Sequence, residues 1–168
     1  MIQKYEFTGE EKSLNGRILK RIRRISDGLV GGWIEKEDNL SHIDSCFVYA
    51  NACVYDNARV YDNAFVYGNA RVYDNARVCG NARVCGNARV FGDMLCTKSV
   101  MCANLYRYSI TCSDSHISVG CQVHTFDVWK EHGEKIAKED GRSDTEIELY
   151  KGIVLSMISY REATNQKG

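Results

Sequence analysis

The pattern of apolar and polar positions has a period of six. Val stands at 48, 54, 60, 66, 72, 78, 84 and 90, Asn at 51, 57, 63, 69, 75, 81 and 87, and Ala at 52, 58, 64, 70, 76, 82 and 88. Six matches neither the 3.6 residues of an α-helical turn nor the 3.5 of a coiled coil. It fits a short strand followed by a corner. In Ala58-Arg59-Val60-Tyr61 side chains alternate, so Ala and Val face one way and Arg and Tyr the other. Asp62-Asn63, replaced by Gly-Asn in other repeats, tolerates left-handed backbone angles and makes the bend. Each repeat is one side of a polygon around a narrow, filled bore, and coils stack at ~4.8 Å. Such a solenoid is held by neighbour contacts and needs a cap at each end.

The phase extends past the clean block. Asn39-Leu40-Ser41-His42 takes the Asn-Ala-Arg-Val register, which puts His42 inside the bore. Ile34 falls on an Ala position and Val30 on a Val position. Downstream, Cys96 and Cys102 fall on Val positions and Val100 on an Ala position. After Tyr106 the phase is lost, and Ile110, Ile117, Val119 and Val123 read as irregular coils.

The flanks have other periods. Residues 3–8 and 17–25 alternate as strands and predict an N-terminal β-hairpin over the first coil, with Gly31-Gly32 as a tight turn before the solenoid. Residues 128–138 predict a short helix, broken at Glu139-Asp140-Gly141. Ser143-Asp144-Thr145-Glu146 fits a capping box. The helix it opens carries Ile147, Tyr150, Ile153, Val154, Met157 and Ile158 on one face. The expected organisation is a hairpin cap over 1–28 and a parallel β-helix over 29–127, then C-terminal helices over 128–168. Within the β-helix the repeats are clean over 46–93 and irregular over 94–127.

Composition changes this picture little. Lys+Arg and Asp+Glu are both 22, so bulk charge predicts neither a nucleic-acid nor a membrane partner. No apolar run approaches the ~18 residues of a membrane span. Met1-Ile2-Gln3-Lys4 lacks the order of a signal peptide, so a cytoplasmic location is expected. The eight cysteines include no CxxC pair, and most replace residues of the repeat lattice. They are expected as free thiols with no metal role. Proline is absent, as stacked interior strands require.

The repeat is similar to the hexapeptide repeat of left-handed parallel β-helices. That resemblance implies the left hand and triangular coils of three repeats each. The order of parts also resembles phage- and prophage-encoded hexapeptide-repeat proteins, through Asn15-Gly16-Arg17, the stretch Gly31-Gly32-Trp33 to Ser41, the repeats, and Gly120 to Thr125. The acyltransferase-like label common in that group rests on the repeat alone and does not transfer with it.

Three sides per coil stack residues eighteen apart into ladders. Phe47–Phe65–Arg83 lies beside Tyr49–Tyr67–Cys85. Cys53–Arg71–Arg89 lies beside Tyr55–Tyr73–Phe91. Arg59–Arg77–Leu95 lies beside Tyr61–Cys79–Thr97. Phe47, Tyr49, Phe65 and Tyr67 make an apolar patch of the kind that marks interfaces. The Tyr55/Tyr73 ladder flanks Arg71 and Arg89, a pair suited to an acidic partner or phosphate.

The sequence shows no complete catalytic constellation. Hexapeptide acyltransferases use a histidine base, and acyl-CoA binds between their subunits. Under that alternative, O- or N-acyl transfer would fall to His124 or His116, with Asp114 and Asp127 nearby in sequence as orienters. His132 sits on an exposed helix. Lys20, Arg21, Arg23 and Arg24 alternate with Ile as the wet face of a strand, a weak nucleic-acid signal. The balance is against an enzyme and against any cofactor. The expected protein is a β-helical binding or assembly protein of phage or prophage origin. Its expected partners are copies of itself, as a trimer or dimer, and a host protein, with inhibition of a host defence protein as one concrete version.

Overall fold

A computed structural model of the chain describes residues 3–105 and 107–166. Met1 and Ile2, read above against a signal peptide, and Tyr106, where the repeat phase ends, lie outside them. The chain opens with β1 (Tyr5–Leu14), β2 (Arg17–Arg24) and β3 (Val30–Ile34). Nine two-residue strands follow: β4 (Phe47–Val48), β5 (Cys53–Val54), β6 (Arg59–Val60), β7 (Phe65–Val66), β8 (Arg71–Val72), β9 (Arg77–Val78), β10 (Arg83–Val84), β11 (Arg89–Val90) and β12 (Leu95–Cys96). The chain then forms β13 (Met101–Asn104), β14 (Ser109–Cys112), β15 (His116–Val119) and β16 (Gln122–Thr125). It closes with helices α1 (Phe126–Glu139) and α2 (Asp144–Asn165).

The nine short strands wind as a parallel β-solenoid of three faces. The first face runs β3-β5-β8-β11, the second β4-β7-β10 and the third β6-β9-β12. Within the short strands each pairs with one eighteen residues on, as Arg71 with Arg89 and Val66 with Val84. The Val and Ala columns are wholly buried in one continuous core. The corners before the Asn column take left-handed angles, at Ala50, Asp56, Asp62, Gly68, Asp74, Gly80 and Gly86, and so does Gly92 before Asp93. Corner side chains also bond up the stack. Asp62 and Asp74 accept from the N–H groups of Gly80 (3.0 Å) and Gly92 (3.1 Å). Asn51, Asn69 and Asn87 form an amide ladder at 3.4 Å.

Larger residues close the bore. Tyr5, Ile22, Ile34 and Leu40 fill its N-terminal end, and Met94 takes an Ala slot at the other. β1 and β2 do more than cover the first coil. β2 pairs with β3, so the hairpin extends the first face to six strands. Its turn is Asn15-Gly16, both with positive φ, as a two-residue hairpin turn that follows the strand twist requires.

The upstream register, at Val30, Ile34, Leu40 and His42, is corrected by one cause. Leu40 bridges to Val60 and Ile34 pairs with Val54, twenty residues on instead of eighteen. The coil therefore has two extra residues between Leu40 and Val48. Leu40 and Ile34 take Val slots, His42 is displaced from the bore, and Val30 is exposed. Lys4 ties the widened corner, its Nζ donating to the carbonyls of Cys46 (2.6 Å), Ile43 and Asp44. Gly31-Gly32 is not a turn either. Both lie within β3, where an added Cβ would come within 2.7 Å of Val48 and of Phe47 or Ala52.

The expected irregular coils over 94–127 give way after β12. β13 to β16 form an antiparallel meander, with Ile110 opposite Val119 and Ile117 opposite His124. Ile110, Cys112, Ile117 and Val119 pack on Phe126, Trp129, Tyr150, Val154 and Ile158 of the two helices, while Thr111 and Ser118 between them are buried against the last coil, bonding the Arg89 N–H and carbonyl. Trp129 donates to the Ile117 carbonyl at 2.8 Å. The capping box forms, with Ser143 and Glu146 bonding reciprocally. Arg161 of α2 donates to the Ser99 carbonyl at 2.6 Å and fastens the cap to the last coil. No described helix is long and apolar enough to cross a membrane.

Candidate functional site

The bore is filled, so any binding chemistry must sit on the outside or in the caps. The second face carries the aromatic patch in altered form. Phe47 is 0% exposed, because Arg24 and β3 cover it, so it is removed from the predicted contact surface. Tyr49, Phe65 and Tyr67 remain partly exposed. Tyr49 meets Phe47 and Phe65 edge-on at 5.0 and 5.8 Å, which fixes its ring as a step between buried and open rungs. Arg83 stands exposed in register above Phe65.

The first face is roofed where its sheet meets the hairpin. Tyr55, Tyr73 and Phe91 stack at 5.2 and 5.1 Å with planes 3° apart, and Tyr55 is 4% exposed. Arg71 and Arg89 sit on adjacent strands in register. The hairpin tip overhangs them, held by Arg17, which pairs with Glu35 (3.0 Å) and with Asp56. The result is a polar cleft of about 340 Å³ lined by Asn15, Arg17, Tyr55, Arg71, Tyr73 and Arg89, with Asp56 and Asp74. Burial raises the phenol pKa of Tyr55 to about 12 and moves Tyr73 the same way. The charges of Arg71 and Arg89 oppose the shift at Tyr73.

The third face carries Arg59 and Arg77 in register. With Tyr61 and the widened corner at Ser41 and His42 they line a cleft of about 590 Å³ that also contains Glu37 and Asp38. Arg59, Arg71, Arg77, Arg83 and Arg89 have no acidic partner within ion-pair distance among the described residues, whereas Arg17, Arg21, Arg23 and Arg24 of the hairpin all do. The hairpin's bases are also spent on aromatic rings. Lys12 and Arg21 lie over Trp33 at 4.4 and 5.0 Å, and Lys20 over Phe7 at 5.3 Å. That is the structural use of the basic cluster.

The four histidines do not converge with the expected orienters. His42 stacks on Tyr5 at 4.2 Å, and its Nδ1 accepts from the Lys4 N–H. A neutral ring there carries its proton on Nε2, as a donor and not a base. His116 and His124 lie on neighbouring strands. His116 bonds Ser115 at 2.9 Å, and burial lowers its pKa. His124 bonds Gln122 and lies edge-on to Trp129. Asp114 is engaged by Thr97, at 2.6 Å from its hydroxyl and 2.7 Å from its N–H. Asp127 makes no contact with either ring among the described hydrogen bonds. His132 is exposed on α1, where it neighbours Glu131.

A third concavity lies between α1 and α2, about 560 Å³ and lined by Trp129, Ile147, Tyr150, Val154 and Leu155. The cleft-forming role of Asn15 and Arg17 was missed in the sequence, although Asn15-Gly16 between two alternating stretches is a hairpin signal that locates the tip.

The repeat matches that of the YdcK beta solenoid repeat family over residues 52–68, 64–80, 76–90 and 82–94. These segments fall within the nine short strands and their corners, so sequence and structure agree that this is a β-solenoid repeat protein. No curated protein matches the chain.

Proposed function

We propose that the protein is a non-catalytic binding and assembly protein that meets its partners, a second copy of itself first, through the second solenoid face. The observation that carries this is the group of partly exposed Tyr49, Phe65 and Tyr67 beside an exposed Arg83 with no acidic partner among the described residues. Aromatics and arginine are the residue types that dominate interface energetics. The face is built from parallel rungs in register and offers a flat, rigid surface whose order is paid for by folding. In the phage or prophage setting that the resemblance implies, the wider reading is a cytoplasmic protein that occupies a host protein by this face and blocks a host defence.

Sedimentation and pull-down test the reading together. The wild type is expected above the 19.0 kDa of one chain, or to capture a host protein. Phe65→Arg adds a cation at the centre of the patch and should return the mass to one chain or abolish capture. A monomeric wild type whose captured partners survive Phe65→Arg removes the second face from consideration.

A further inference from the structure

We propose that the roofed cleft on the first face is a phosphoryl-binding site, in which Arg71 and Arg89 clamp a phosphate group beneath the hairpin tip. The proposal rests on this cleft alone and is independent of the second face.

Arg71 and Arg89 occupy facing positions of parallel strands β8 and β11. Neighbouring strands lie ~4.8 Å apart, so two positive side chains are held side by side. Like charges directly opposite one another destabilise a sheet. Neither guanidinium has a carboxylate within ion-pair distance among the described residues, although the same sheet satisfies Arg17 with two. A dianion between the two forks would turn this repulsion into paired charge-assisted bonds, and the guanidinium fork matches phosphate oxygens.

The surroundings point to the same ligand. Tyr55 and Tyr73 line the cleft, and their hydroxyls make no hydrogen bond among the described residues. Both phenols hold their protons above the ordinary value of 10.0 and so remain donors at neutral pH. Asn15 of the hairpin turn also lines the cleft. Of the two acids of the lining, Asp56 is paired with Arg17, whereas Asp74 accepts the Gly92 N–H and keeps its charge. The other arginine pair, Arg59 and Arg77, shares its cleft with two acids that are in no ion pair among the described residues, Glu37 and Asp38, against one, Asp74, on the first face. Arg83 stands alone on an open face. The cleft on the first face is lined by three arginines against two aspartates, one of which is paired. A volume of about 340 Å³ admits a phosphate with its ester substituent.

Inorganic phosphate, a phosphoserine peptide and a nucleoside 5′-monophosphate share this chemistry and separate its sources. Each is titrated calorimetrically into the full chain at fixed ionic strength. Saturable one-to-one binding of at least one probe is expected, and the tightest names the source. Arg71→Gln and Arg89→Gln should each weaken it about tenfold or more, the scale of losing one charged hydrogen-bond pair. Arg71→Lys keeps the charge but not the fork and should fall between. Arg83→Gln is the control for bulk charge and should change affinity less than about twofold. These arginines are on the surface, and unchanged melting curves would show that each variant folds. Absence of saturable binding for all three probes overturns the site. So does a loss with Arg83→Gln equal to that with Arg71→Gln.

Discussion

Ala50 is the weak corner of the solenoid, and replacing it should stabilise the protein. Its φ of 55° is left-handed, in register with corners that are otherwise Asp or Gly. An L residue with a Cβ pays about 1 kcal/mol in that region, and Asp tolerates it better than Ala. A second gain comes from the stack. At Asp62 and Asp74 the carboxylate accepts the N–H of the glycine eighteen residues on. The residue eighteen beyond Ala50 is Gly68, whose N–H has no partner among the described hydrogen bonds. Ala50→Asp should make the same bond, with a net value of about 1 kcal/mol. The sum is about 1–2 kcal/mol, which for a chain of this size raises Tm by about 3–6 °C. Ala50→Gly isolates the backbone part and should give less than half of that gain, because glycine also loosens the unfolded chain. Melting followed by circular dichroism reads both. If Ala50→Asp melts no higher than wild type and Ala50→Gly melts lower, the corner argument fails.

Three further outcomes follow from the packing. Val72→Ala removes two methyl groups from the filled bore and should cost about 2–3 kcal/mol, against less than about 0.5 for Arg59→Ala on the surface, both read by urea unfolding. Native alkylation followed by mass spectrometry should label exposed Cys121 first. Buried Cys96 and Cys112 should react only on unfolding, since burial raises both thiols, Cys112 to about 11. Tyr55 should titrate late in ultraviolet difference spectra. Its folded phenol is raised from 10.0 to about 12, so the unfolded state ionises first and stability should fall as pH rises through that window. A Tyr55→Phe variant that keeps the same alkaline loss would assign the effect elsewhere.

The parts legible in the sequence are those where one physical constraint repeats. Every Val and Ala of the columns must fill the bore, and within the clean repeats each Asp or Gly before Asn must turn left, so phase alone locates core and corners there. The failures occur where that phase is interrupted. Two added residues between Leu40 and Val48 shifted the register, so His42 left the bore and Leu40 took a Val slot in place of an Ala slot. Nothing local marks such an insertion, because Asn39-Leu40-Ser41-His42 imitates a repeat. The meander was misread for the opposite reason. Ile110, Cys112, Ile117 and Val119 alternate with period two, which is common to coils and antiparallel strands, and only pairing with their neighbours decides between them. Burial of Phe47 depends on Arg24 and β3, from a distant stretch of chain, and no reading of the outer row alone reveals it.

The division between inner and outer rows also bears on where function lies. The inner row fixes the fold, since a change there opens a cavity or overfills the bore. The outer row of β5 to β11 reads Cys53, Arg59, Phe65, Arg71, Arg77, Arg83 and Arg89, and solenoid geometry dictates none of these. Arginine fills most of it although in-register arginines repel, so the fold bears a cost that its own contacts do not offset. The same row places its one partly exposed phenylalanine next to Tyr49 and Tyr67, although an arginine would serve the lattice equally. Side chains that cost stability or break the row without improving the packing are explained by what they meet outside the chain. On this reasoning the unpaired arginines and Phe65 are the positions at which substitution should change binding while leaving the melting temperature nearly unmoved.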